Sequence, residues 1–165
     1  MASRLPLPDE ATAAPGLAAE YAAAREREGS VMAILRAIGP RAEVVKAFLG
    51  LTEAALYGPA ALGRRDRELL AVATSQANGA DYSAGVHGEL LEKTGGGPDG
   101  SARDHALIAF ARRVTLAPAE AGEAVAALRE HLSDAEVYDA IAVVGVLNFA
   151  NRAALATGIT TADDL

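Results

Sequence analysis

The pattern of apolar and polar positions along the chain is that of a helical protein. Apolar residues recur three or four positions apart, the spacing that lines one face of a helix, and no segment alternates apolar and polar residues over the length of a strand. The pattern therefore predicts an all-α protein. Helices are predicted from 17 to 28, 30 to 38, 41 to 57, 64 to 76, about 81 to 94, 101 to 117, 119 to 132 and 134 to 157.

Several helix ends carry capping signals. Gly79 and Gly158 each follow a predicted helix and tolerate the left-handed conformation that satisfies the last carbonyl groups. Ser133 and Glu136 have the spacing of a capping box, and Asp81 is predicted to cap the helix that follows it. The final helix is apolar nearly all round its middle turns, which indicates burial in the core or in a subunit contact.

The length of 165 residues suits one well-buried domain. Residues 1–16 contain three prolines and are predicted to form an extended N-terminal arm, which either lies across a neighbouring subunit or frays as a free tail. Residues 17–165 are predicted to form a single helical domain.

Composition and charge narrow the classes of partner. The chain is 51% hydrophobic and 22% charged, with a net charge of −7, so a phosphate backbone has little to bind and nucleic acid is not an expected partner. The N-terminus has no apolar run of a secretory signal, and the apolar segment 140–147 is followed by Asn148, Asn151 and Arg152, so no membrane partner is expected either. The expected location is the cytoplasm.

Polar residues with useful chemistry converge only in the stretch 64–94. Glu68 lies on the first of its two predicted helices, and Tyr82, Ser83 and His87 lie on the second. Ser83 and His87 are four residues apart and therefore share a helix face.

This stretch resembles the core of the alkyl hydroperoxidase D and carboxymuconolactone decarboxylase superfamily. That core has a Glu, eleven intervening residues, a Cys-x-x-Cys pair and a His four residues after the second Cys. Glu68 and His87 match the Glu and the His, and Tyr82 lies where many members have Tyr or His. Ala80 and Ser83 occupy the two cysteine positions, and the chain has no cysteine. The segment 148–152, Asn-Phe-Ala-Asn-Arg, resembles the late Asn-Arg signature of the peroxidase-related branch.

The resemblance implies the helical fold of the superfamily, assembled as dimers, trimers or hexamers with a pocket near the subunit contacts. In relatives that have the cysteines, the Glu and the His move a proton to and from the second cysteine, whose thiolate attacks peroxide. This chain has no cysteine and therefore cannot reduce peroxide by that route. His87 is then a general acid or base oriented by Glu68; alternatively, the two are an inherited ion pair that only joins two helices.

The other polar residues each allow two interpretations. Ser83 is either a nucleophile activated by His87 or a side chain bonded to the preceding turn. Tyr82 either donates a hydrogen bond in the pocket or packs as an aromatic side chain. Arg152, with Asn148, either binds a substrate carboxylate or satisfies carbonyl groups and carboxylates at a subunit contact. The scattered His87, His105 and His131 indicate no metal site, and no cofactor is predicted.

The leading hypothesis from the sequence is a non-redox acid/base enzyme, of decarboxylase, lyase or isomerase type, acting on a small organic molecule through His87 and Glu68. A catalytically silent ligand-binding or interaction module on the same scaffold is the first alternative. The second is a form of an antioxidant hydroperoxide or disulfide reductase in which the two cysteines have been replaced.

Overall fold

The computed structural model describes residues 4–28 and 31–159, and all regular structure in them is helical, as predicted. In chain order the elements are α1 Pro15–Glu28, α2 Ala33–Ala37, α3 Ala42–Thr52, the π turn Glu53–Tyr57, α4 Arg64–Asn78, α5 Asp81–Thr94, α6 Ala102–Leu116, the 3₁₀ turn Pro118–Glu120, α7 Gly122–Arg129 and α8 Asp134–Thr157.

Helix α4 is the centre of the domain, because it packs against α5, α6 and α8. Leu69, Leu70, Ala71 and Ala73 of α4 are all buried in the main core. Phe110 of α6 is fully buried in the same core. Because α4 is surrounded on three sides, five of its polar residues are buried: Asp66, Arg67, Glu68, Thr74 and Ser75. All of them except Thr74 form side-chain hydrogen bonds within the described part of the protein.

Ion pairs join α4 to α6, and α6 to α8. Arg65 donates to both carboxylate oxygens of Asp104, at 2.5 and 2.8 Å, and Arg103 donates to Asp66 at 2.8 Å and to Glu136 at 3.2 Å. These bonds fix the start of α4 against its neighbours. They therefore also fix the position of Glu68, which lies in the second turn of α4.

The capping predictions are confirmed at three helix ends. Gly79 and Gly158 are left-handed, with φ of 69° and 86°. The Ser133 side chain accepts a hydrogen bond from the Glu136 amide while the Glu136 side chain accepts one from the Ser133 amide, so the capping box is complete.

Three local predictions were wrong. The helix predicted from 41 to 57 ends as an α-helix at Thr52 and continues as the π turn. Asp81 does not cap α5, since Ala80 is the N-cap residue and α5 has no side-chain cap; Asp81 is the first helical residue instead. The segment predicted as a helix from 119 to 132 divides into the 3₁₀ turn and the short α7. The predicted cap at Ser30 lies outside the described residues.

The described part of the N-terminal arm packs on its own chain. The Arg4 amide donates to the Thr157 carbonyl at 2.8 Å, and the Tyr21 hydroxyl donates to the Pro8 carbonyl at 3.4 Å. Leu7 packs with Ala33 and Ile159 in a small second core. From residue 4 onward the arm is therefore part of the domain surface.

Helix α8 is a core helix. Among the described helices it alone is long and apolar enough to cross a membrane by length and composition. Half of that apolar stretch is buried inside the protein, where α8 packs on α2, α3, α4, α6 and α7. Its apolar character is accounted for by this packing.

Candidate functional site

The α4–α5 hairpin brings the sequence-predicted residues together. Gly79 and Ala80 alone connect the two helices, and the left-handed Gly79 allows the Ala80 amide to bond the Ser75 carbonyl at 2.9 Å. This tight turn folds α5 back along α4. As a result Glu68 and His87, nineteen residues apart, are in direct contact.

Glu68 lies between a histidine and an arginine. Its Oε2 is 2.7 Å from His87 Nδ1, and its Oε1 accepts a hydrogen bond from Arg64 Nε at 2.8 Å. The Glu68 side chain is fully buried, and His87 is 9% exposed. The Arg64 guanidinium also lies 4.4 Å from the centre of the Tyr57 ring, a cation–π contact. The four side chains form a continuous row.

Hydrogen bonds and charges along this row determine the ionisation state of Glu68. Burial by itself raises the pKa of the Glu68 carboxyl, but the hydrogen bonds and positive charges of His87 and Arg64 hold that pKa below its ordinary value. Glu68 is therefore ionised and accepts from both partners. A carboxylate at His87 Nδ1 requires the proton on Nδ1, which leaves Nε2 as the nitrogen with a free lone pair.

A cavity of about 220 Å³ lies beside His87, between α5, α8, α2 and the end of α3. Most of its lining side chains are apolar, with polar groups from a small number of residues. The lining residues are Met32, Ala33, Ile34, Phe48, Thr52, Leu56, Tyr57, Tyr82, Ser83, Val86, His87, Val146, Leu147, Ala150, Asn151, Ala154 and Ile159. A mostly apolar cavity with a few polar groups, one of them a buried histidine, is the usual form of a small-molecule site.

A chain of hydrogen bonds runs through the wall of the cavity. Asn151 Nδ2 donates to Ser75 Oγ at 3.1 Å, and Ser75 Oγ is 3.0 Å from Ser83 Oγ. The Ser83 hydroxyl is therefore bonded to α4, and within the described residues it has no hydrogen bond to His87. The arrangement gives no geometric support to a Ser-His-acid triad, which needs the serine hydroxyl on the histidine.

The remaining sequence-predicted residues divide between the cavity and its surroundings. Tyr82 lines both the main cavity and a smaller one of about 80 Å³, which Ala80 and Ser83 also line. Asn148 does not line either cavity, since its side chain bonds Asn78 at 2.9 Å and Thr115 at 3.2 Å. Arg152 is exposed and donates to the Thr115 carbonyl at 3.3 Å, away from the cavity lining. Both side chains therefore form hydrogen bonds with their own chain.

The sequence reasoning missed Arg64 and Ser75. Arg64 precedes Glu68 by one helical turn, and that spacing is a signal for a side-chain ion pair that could have identified it. Ser75 gave no such signal, because its partners Ser83 and Asn151 come from two other helices. Only the packing of α5 and α8 on α4 brings them to Ser75.

The fold and the site together define an all-helical protein with a buried contact between Glu68 and His87 on an α-hairpin beside an apolar cavity. Residues 42–121 match the model of the carboxymuconolactone decarboxylase family. No curated protein matches the sequence significantly. This match and the structural similarities that follow support membership of the superfamily of alkyl hydroperoxidase D and carboxymuconolactone decarboxylase.

Solved structures similar to this chain span almost all of it. An uncharacterized peroxidase-related protein with the alkylhydroperoxidase AhpD core, from Ralstonia eutropha JMP134, is 26% identical with a TM-score of 0.82, covering 99% of this chain and 94% of that one. A second, from Silicibacter sp. TM1040, is 27% identical with a TM-score of 0.74, covering 93% and 85%. A variant of the debrominase Bmp8, in complex with 2,3,4-tribromopyrrole, is 19% identical with a TM-score of 0.76, covering 96% and 91%; this likeness shows the fold alone.

Proposed function

We propose that this protein is a non-redox acid/base enzyme that moves a proton on a small organic molecule bound in the cavity, with His87 as the general acid or base. The observation that carries the proposal is the 2.7 Å contact between His87 Nδ1 and the fully buried Glu68 in the wall of that cavity. A base held in one tautomer by a carboxylate and facing a water-poor pocket is a recurring catalytic arrangement.

In this proposal His87 Nε2 takes a proton from the substrate and returns it to a different atom of the same molecule or to a leaving group. The transient imidazolium is stabilised by the Glu68 carboxylate, and Arg64 keeps Glu68 ionised throughout. Glu68 is thus a positioning residue. The pair of Arg64 and Glu68 carries no net charge, and its carboxylate orients the imidazole through His87 Nδ1.

The pair also argues against a purely structural role. A buried ion pair that serves only packing can be replaced by apolar residues at little or no cost in stability. Here the histidine of the pair is the member that lines the cavity, while the carboxylate lies behind it. This arrangement is expected if the imidazole contacts the substrate and the carboxylate orients the imidazole.

The test compares three variants in a turnover screen of small enones, lactones, hydroperoxides and carbonyl compounds. His87→Gln is expected to lower kcat by about 10² or more, the usual contribution of general acid/base catalysis, and Glu68→Gln to lower it less while altering the pH profile. His105→Gln is the matched control, because His105 is exposed on α6. Turnover that is equal in His87→Gln and His105→Gln would refute the proposal and favour a silent ligand-binding module.

We also propose that the protein is a homo-oligomer in the cytoplasm. Met32 and Val86 line the cavity yet are 37% and 40% exposed, so apolar surface continues from the cavity to the outside of the chain. Continuous exposed apolar surface is typical of a contact between subunits.

A further inference from the structure

The charges around the cavity point to the class of molecule that it takes. None of the described residues that line it is Lys, Arg, Asp or Glu. The nearest guanidinium along the row, Arg64, is bonded to Glu68, and Arg152 donates to a backbone carbonyl elsewhere. The cavity therefore offers an anionic ligand no fixed cation among the described lining residues.

A carboxylate would be poorly accommodated in such a cavity. Moving an ionised carboxyl group from water into apolar surroundings is costly unless a cation or several donors replace its hydration. The buried Glu68 carboxylate behind His87 is already neutralised by Arg64, so this row supplies no net positive charge for a second anion. Even a protonated imidazole would already be paired with that carboxylate.

The polar groups that do face the cavity suit an uncharged hydrogen-bonding group. Asn151 is 1% exposed and gives its amide N–H to Ser75, so the Ser75 hydroxyl proton can be donated to Ser83. The Ser83 proton is then available to an acceptor on a ligand. Asn151 Oδ1 is buried with no hydrogen-bond partner among the described residues, which leaves further polar capacity in the same wall.

We infer that the cavity takes an uncharged, largely apolar molecule whose polar end is a hydrogen-bond acceptor such as a carbonyl group, bound at Ser83 beside His87, and that it excludes carboxylates. The inference rests on the proposed function in one respect: both take the cavity beside His87 as the functional site. Of the three reaction types that the sequence suggested, the inference favours a lyase or isomerase acting on a neutral carbonyl compound. It excludes a decarboxylase, because a decarboxylase must bind its substrate as a carboxylate.

The test measures binding alone, by titration calorimetry of the full chain with benzamide against benzoate and hexanamide against hexanoate. The titrations are done at pH 8, where benzoate and hexanoate are fully ionised. Each amide is expected to bind at least about tenfold more tightly than its carboxylate, because only the carboxylate must be buried without a counter-charge. A carboxylate that binds as tightly as its amide, or no saturable binding of either amide, would overturn the inference.

Two arginine variants test whether the discrimination is local to the cavity. Val86→Arg places a cation in the lining and is expected to improve carboxylate binding by about tenfold or more. Tyr138→Arg makes the matched change in charge on α8, where Tyr138 is 74% exposed and does not line the cavity, and is expected to leave the preference unchanged. An equal gain in both variants would contradict the inference.

Failure of this inference and failure of the proposed function give different results. If the amides bind preferentially to both the wild type and His87→Gln but no substrate is turned over, the ligand class holds and the catalytic proposal fails. If His87→Gln abolishes turnover while carboxylates bind as well as amides, the catalytic proposal holds and the ligand class is wrong.

Discussion

The ion pair between Arg65 and Asp104 should make the stability of this protein sensitive to acid. Asp104 is 1% exposed and accepts two hydrogen bonds from Arg65 and one from the Asp99 amide, at 2.8 Å. The Arg65 hydrogen bonds lower the pKa of the Asp104 carboxyl from 3.8 to about 2, against the effect of burial, which raises it.

The sign and size of the effect follow from that pKa. A carboxyl whose pKa is lower in the folded state contributes stability above its unfolded pKa, and that stability is lost as the pH falls towards the folded pKa. The interval between 3.8 and about 2 corresponds to about 2 kcal/mol, at roughly 1.4 kcal/mol per pH unit. In a domain of this size, such a loss lowers the melting temperature by roughly 4 to 8 °C.

The assay is urea unfolding of the wild type and of Asp104→Asn between pH 7 and pH 2.5. At pH 7 the variant is expected to be less stable by about 2 kcal/mol, and the gap is expected to narrow below pH 4 as the wild-type carboxyl becomes protonated. Asp134→Asn is the matched control, because Asp134 pairs with Arg129 on the surface, where both side chains are mostly exposed. It should change stability by less than about 1 kcal/mol.

The reasoning is refuted if the gap between the wild type and Asp104→Asn does not change with pH. It is also refuted if Asp134→Asn destabilises the protein as much as Asp104→Asn does, because burial would then have no influence on the strength of an ion pair in this fold.

Two further predictions concern the core and the former cysteine positions. Phe110→Ala should lower the free energy of unfolding by about 3 to 5 kcal/mol in urea titrations, because Phe110 is fully buried, whereas Leu116→Ala, 62% exposed on the same helix, should stay within about 0.5 kcal/mol. Ala80→Cys combined with Ser83→Cys should confer dithiol-dependent peroxide reduction, since Ser83 lines the cavity with His87; no gain in a peroxide-consumption assay would show that the surroundings have diverged from the redox relatives.

The sequence was sufficient for the parts of the fold that depend on neighbours along the chain. The spacing of apolar residues predicted the helices, and the glycine and Ser133 signals predicted three helix ends, because caps involve residues within one turn of each other. The π turn at 53–57 was missed because an apolar pattern does not distinguish it from an α-helix. Asp81 was assigned as a cap although Ala80 holds that position, a shift of one residue within an otherwise correct helix boundary.

The sequence identified only part of the candidate site. Glu68 and His87 were found by their matching positions in a known motif, and their 2.7 Å contact agrees with it. Arg152 was considered as a carboxylate anchor because its chemistry suits that role, but a sequence does not show which neighbouring element a given face of α8 meets. In the structure Arg152 is exposed and bonds a backbone carbonyl.

What the sequence by itself determined was the fold class, the helix order and the pairing of Glu68 with His87, since each depends on local spacing or on a motif within 31 residues. Only the tertiary structure decided the apolar lining of the cavity, the absence of a cation among its described residues, and the chain from Asn151 through Ser75 to Ser83. Those features come from residues on α2, α3, α4, α5 and α8, which approach one another only when α4 is buried among its neighbours.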